Sequence, residues 1–149
     1  MDDLLLDLVL AIAHHFLAFL LAALIAVELA LVRPGLGTVD LARLGRVDSA
    51  YGGVAMLLIL VGIGRVVWGL KGWEYYVYYP VFWMKMAAFV AIGLLSIGPT
   101  RHIVAWRRAG LATVPDAEVS RLRGWLKAEA AFLALVLVFA ASMARGVGY

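Results

Sequence analysis

Cysteine is absent from the 149 residues, which removes disulfides, thiolate-bound metals and cysteine nucleophiles from consideration. Charge is scarce as well: 15% of the residues are Asp, Glu, Lys or Arg, where a soluble domain carries about 25%. There is no glycine-rich phosphate loop followed by lysine, no zinc-ligand spacing and no nucleophile motif. The "GIGR" stretch at 62–65 lacks the strand that a dinucleotide fingerprint needs. A secretory signal is not expected either. The chain opens "MDDLLLD", acidic where a signal is basic, and no small-residue cleavage pattern follows, so the first apolar run reads as a retained helix.

What is abundant is hydrocarbon. Hydrophobic residues make up 65% of the chain and the mean hydropathy is +0.97, whereas soluble domains are about 45–50% apolar. The excess sits in long runs, which indicates an integral membrane protein. A spanning helix needs about 20 apolar residues, and four segments qualify: about Leu4–Val32, Ala50–Leu70, Val81–Ile103 and Leu126–Met143. "RPGLG" after the first and "GLKGWE" after the second act as stops. Pro80 suits the start of the third. Short connections favour an all-α integral membrane fold, an antiparallel four-helix transmembrane bundle forming a single domain over 1–149.

The basic residues set an orientation. The stretches 33–49 and 101–125, with the adjoining helix start, hold Arg33, Arg43, Arg46, Arg101, Arg107, Arg108, Arg121, Arg123 and Lys127; Arg65, Lys71, Lys85 and Arg145 lie elsewhere. This asymmetry places both stretches in the cytoplasm and the termini outside, as for a multi-pass protein of a bacterial inner membrane. The lipid bilayer accounts for these arginines, so a nucleic-acid partner is not expected. The remaining connection, "KGWEYYVYYP", reads as an interfacial aromatic belt or as a stacking surface for a flat ligand.

Ionisable groups at membrane depth cost about 2.5–3.5 kcal/mol each on insertion scales, and so mark function or packing. Asp7, His14, Leu21 and Glu28 recur every seven residues and form one stripe on the first helix. His15 sits about 100° away, which makes His14 the inward histidine. The second helix carries Asp48, Tyr51, Ala55, Gly62, Arg65 and Gly69 along one side, and the third has Lys85 about one turn in. Glu28 and Glu129 are expected to pair with Arg101, Arg33 or Lys127. Pro99 is expected to kink the third helix and to free a carbonyl for Ser96 or Thr100. His14 and His102 differ by roughly 15 Å in depth, too far to share one metal. His14 and Lys85 differ by roughly 9 Å and are able to flank one large ligand.

Three segments together, "AHHFLAFLLAALIAVELALVRPGL", "RVDSAYGGVAMLLILVGIGRVVWGLKG" and "YYPVFWMKMAAFVAIGLLSIGPTRHIVAWRR", resemble an uncharacterised bacterial family of small predicted membrane proteins. More distantly, the chain resembles the HemJ-type protoporphyrinogen IX oxidases, small four-helix membrane proteins that bind b-type haem. That resemblance rests on a first-helix histidine (His14 or His15), Arg33 in "LVRPGL" and Lys85 in "WMKM". It implies haem b as cofactor, a porphyrin ligand and a redox role, with His14 as the metal ligand. This chain has "IGPTRH" where that group closes its third helix with Gly-Tyr-His. Arg65 and Lys85 lie at depths suited to haem propionates.

Three functions follow as expectations. One is a haem- or porphyrin-binding redox protein held by His14, Lys85, Arg65 and Arg33. The second is a small proton-coupled transporter or channel, as a homo-oligomer, with Asp7, His14, Glu28 and Glu129 as its polar path. The third is a non-catalytic membrane subunit that binds a partner protein. Catalytic residues are not assigned.

Overall fold

The computed structural model describes residues 3–147. In chain order it has α1 (Asp3–Leu31), α2 (Thr38–Trp68), the short α3 (Gly72–Val77), α4 (Pro80–Arg108) and α5 (Asp116–Ala144). All except α3 are long and apolar enough to cross a membrane. The spanning helices have 29 or 31 residues. At about 1.5 Å per residue they exceed a hydrocarbon core of about 30 Å, so their ends reach the headgroup region.

Two helices begin earlier than hydropathy alone suggests. α2 starts at Thr38 rather than near Ala50, and α5 at Asp116 rather than near Leu126. A hydropathy reading stops where charge begins. The helix itself continues, because Arg and Lys are good helix formers whose long side chains reach the headgroup layer. The stretches 33–49 and 101–125 are therefore mainly helical, and the true connections are 32–37 and 109–115. Each contains a glycine in the left-handed region, Gly35 at φ +79° and Gly110 at φ +63°, where a side chain would be strained. Pro80 opens α4 as expected. Pro115 caps α5, with Asp116 and Glu118 in the first turn, where acids favour the positive end of the helix dipole.

The helices pair as two antiparallel hairpins, α1 with α2 and α4 with α5. The hairpins meet along two thinner seams, α1 against α5 and α2 against α4, while the diagonal pairs stay apart among the described residues. The end carrying the two short connections is called here the connecting end, and the opposite one the terminal end.

At the connecting end the hairpins are fastened tightly. Val32, Leu36, Leu41, Leu44, Ile103, Trp106, Val114, Val119, Leu122 and Leu126 form one buried cluster. The Val114 amide donates to the Leu36 carbonyl at 3.0 Å, from one hairpin to the other, and within the α4–α5 hairpin the Trp106 indole donates to Glu118 Oε2 at 2.9 Å. Arg123 Nη1 donates to the Leu29 and Val32 carbonyls at 2.7 and 2.6 Å. The last carbonyls of a helix have no partner within it, so a cation there also meets the negative end of the α1 dipole. At the terminal end, Tyr76, Tyr79 and Met143 form a smaller cluster. The Tyr79 hydroxyl donates to the Val147 carbonyl at 2.6 Å, and the Leu70 amide donates to Asp7 Oδ1 at 3.3 Å.

The outer faces are apolar, as lipid requires: Phe16, Phe19, Leu60, Leu94 and Val138 are all exposed. Trp68, Trp73, Tyr78 and Trp83 are exposed near the terminal end, where an interfacial belt belongs. The stretch 71–80 departs from the expected loop. Residues 72–77 are helical, and Tyr76 and Tyr79 turn inward to pack.

The Arg123 contact predicts a stability effect. Arg123→Ala should lower the unfolding free energy in detergent by about 2–3 kcal/mol, since two carbonyls lose a charged donor. Arg121→Ala, on the exposed side of the same turn, should change it by less than about 0.5 kcal/mol. Thermal unfolding followed by circular dichroism checks both.

Candidate functional site

Polar side chains within the bundle gather at two levels. The first lies toward the terminal end. His14 on α1 is half-buried, and its Nδ1 is buried with no hydrogen-bond partner. The ring rests against α2 where Gly62 leaves space: a Cβ added at Gly62 would lie 3.5 Å from His14 Cε1. His15 is exposed and bonds through Nδ1 to the Ala11 carbonyl one turn back, at 2.7 Å. Of the two neighbours, then, His14 faces the bundle and His15 the lipid side.

Arg65 on α2 and Lys85 on α4 are half-buried and close enough to His14 to act on it electrostatically. Arg65 Nε is buried and unpartnered. The Lys85 ammonium lies 5.5 Å from the centre of the Phe82 ring, a cation–π contact. Among the described residues neither Asp7 nor Glu74 forms an ion pair with Arg65, and Asp7 accepts a hydrogen bond from the Leu70 amide instead. Three basic groups from three helices thus share one level without an acidic counterpart.

Arg33 does not join them. It is exposed beyond the connecting end of α1 and pairs with Asp40 at 3.6 Å. Nineteen residues separate it from His14, about 28 Å of helix rise. Arg33 therefore sits at the opposite end of the molecule from His14 and Lys85.

The second level lies toward the connecting end. Glu28 on α1 and Glu129 on α5 are each 1% exposed, and Asp48 on α2 is 8% exposed. The expected pairing of these glutamates with Arg33, Arg101 or Lys127 is absent among the described residues, where the ion pairs are those of Asp40 with Arg33 and Arg43. Arg123, the cation nearest in sequence to Glu129 on its inner side, is occupied by the α1 carbonyls. Tyr51 is 4% exposed and faces Glu129. Its hydroxyl, Glu28 Oε1 and Glu129 Oε1 all lack a partner of good geometry.

Asp48 Oδ1 accepts a hydrogen bond from the Thr100 hydroxyl at 2.8 Å, across the α2–α4 seam. This link was missed in the sequence, where Thr100 was assigned to the carbonyl freed by Pro99. Ser96 bonds the Gly93 carbonyl at 2.9 Å rather than the one Pro99 frees. α4 runs through Pro99 as one helix. Asp48 and Tyr51 were legible as one face of α2, but Thr100 belongs to a different hairpin and only packing brings it there.

The donor set for a metal is limited. No three of the described His, Asp and Glu side chains group closely enough to hold an ion. His102 stays at the connecting end beside Trp106, ring centres 5.7 Å apart. For haem, the donor chemistry fits in part, because an unpartnered imidazole nitrogen is what an axial position uses and Arg65 and Lys85 are able to meet carboxylates. Two cavities of about 170 and 110 Å3 lie away from this level, and neither touches His14, Arg65 or Lys85; sites that enclose a ligand the size of haem are about 300–1,000 Å3.

The Gly62 contact generates a graded test. Gly62→Ala should leave stability within about 0.5 kcal/mol, because the added methyl meets ordinary contact. Gly62→Leu should displace the His14 ring. Nitrogen NMR of the imidazoles, in a His15→Ala background, should show a shifted His14 signal for Leu only.

No curated protein and no solved structure matches the chain, so the likeness to porphyrinogen oxidases rests on the few residues quoted for it. A family of predicted membrane proteins matches residues 6–148, nearly the whole length. The four apolar spanning helices agree with that description, and the chain belongs to the family of predicted membrane proteins designated DUF2214.

Proposed function

We propose that this membrane protein binds an anionic amphiphile at the level of His14, Arg65 and Lys85, with the porphyrin dicarboxylates as one instance of that class. The observation that supports this reading is the convergence of three basic side chains from α1, α2 and α4 with no acidic partner. An unpaired cation is costly at membrane depth, and a carboxylate or phosphate headgroup would offset that cost through charge-assisted hydrogen bonds. The ligand's apolar body would lie against the exposed face of the helices rather than in a closed cavity. That arrangement suits a molecule arriving from the bilayer. Haem bound there would bring redox chemistry of its own; the chain would supply the His14 nitrogen and the two cations.

The orientation belongs to the same proposal. Nine of the 13 basic residues lie toward the connecting end, which the positive-inside tendency places in the cytoplasm of a bacterial inner membrane. The His14 level then lies in the outer half of the bilayer.

Titration of the purified protein in lipid nanodiscs with a fluorescent fatty acid, and separately with haem, tests the reading. Arg65→Gln and Lys85→Gln should each weaken fatty-acid binding about tenfold, the equivalent of one charged hydrogen bond. His14→Ala should abolish any Soret shift on haem addition while leaving fatty-acid binding within about threefold. Equal affinity in the wild type and the Arg65→Gln, Lys85→Gln double variant would overturn the proposal.

A further inference from the structure

The deeply buried acids toward the connecting end take no part in the site just proposed. Side chains on a helix lean toward its N-terminus. Because α1 and α5 run antiparallel, Glu28 leans toward the terminal end and Glu129 toward the connecting end, so the two converge across their seam. Asp48 and Tyr51 face this pair from α2, and Thr100 stands behind Asp48 on α4. Arg123 on α5 is the nearby cation, and its guanidinium is held on the Leu29 and Val32 carbonyls. Three carboxyls gathered in an apolar interior without a cation cannot all carry charge, because like charges in low dielectric repel strongly. One oxygen of each glutamate is buried without a partner of good geometry, and the Tyr51 hydroxyl approaches Glu129.

A partly enclosed cavity of about 110 Å3 lies beside this group, between α2 and α4. Asp48, Tyr51, Ser96 and Thr100 form its polar side, and Ala55, Ile59, Phe89 and Ile92 its apolar side. Most of its lining is apolar, and its polar side is where a few water molecules would find hydrogen-bond partners. The cavity therefore joins two of the polar side chains that surround the glutamates to a space able to hold water.

We propose that Glu28 and Glu129 form a proton-exchange site within the membrane, loaded through Asp48, Thr100 and Tyr51 from the cavity between α2 and α4. The transfer is a simple proton movement: a carboxyl O–H breaks as a bond to water or to the next oxygen forms. This inference does not depend on the anionic-ligand reading.

Infrared difference spectroscopy of the full chain in lipid bilayers, after a pH jump, tests it. The wild type should show a pH-dependent carbonyl-stretch band of a buried carboxyl, and the isosteric variants Glu28→Gln and Glu129→Gln should each remove or split that band. Tyr51→Phe and Ala55→Leu, which break the route and fill the cavity, should retain the band and slow its appearance several-fold. Circular dichroism confirms helicity for each variant. Absence of a pH-dependent buried-carboxyl band, or a band unchanged in both glutamine variants, overturns the site. Wild-type exchange rates in both Tyr51→Phe and Ala55→Leu overturn the route.

Discussion

The two helical hairpins are tied to each other at the connecting end by hydrogen bonds that cross from one to the other, and the bundle is built around that contact. At the connecting end, Arg123 reaches across to the final carbonyls of α1, groups left without a partner inside the helix. The largest buried cluster surrounds this contact. Farther along the bundle a second buried cluster, Leu21, Ile25, Tyr51, Leu58, Ile92 and Leu133, draws on all four spanning helices. Polar side chains lie on either side of it, and His14, Glu28, Tyr51, Arg65 and Glu129 each keep a buried atom without a partner of good geometry.

Depth separates the two polar levels by charge. His14, Arg65 and Lys85 lie toward the terminal end; Glu28, Asp48 and Glu129 lie toward the connecting end. Cations and acids in one bundle would be expected to neutralise each other, yet the structure keeps them at different heights on the same helices. On α1, His14 and Glu28 are 14 residues apart, about 21 Å of rise. That distance exceeds the reach of their side chains toward each other. The cost of keeping unpaired groups at both levels is a reason to look for occupants, an anion at one and protons at the other.

The likeness to porphyrinogen oxidases drew attention to His14 and Lys85, which are near enough to influence each other electrostatically. The packing separates Arg33 from them by most of the molecule's length, and the well-formed cavities lie elsewhere. Neither cavity reaches His14, whose Nδ1 is buried against α2.

Much of the architecture was legible from residue order. Twenty or more apolar residues in a row have few stable alternatives to a spanning helix, and proline and glycine at 34–37 and 80 mark turns for local steric reasons. The seven-residue recurrence from Asp7 to Glu28 revealed an inward stripe, and the 100° step between adjacent residues separated His14 from His15. The early starts of α2 and α5 were hidden, because hydropathy registers contact with lipid and a helix does not end where lipid does. The pairing of side chains was hidden more deeply. Whether Arg123 would meet a glutamate or a helix end, and whether Thr100 would serve Pro99 or Asp48, depends on how two hairpins rotate and slide against each other. Local order along the chain decides which face of each helix is polar. Only the packing of one hairpin on the other decides which polar faces meet, because that contact joins residues dozens of positions apart.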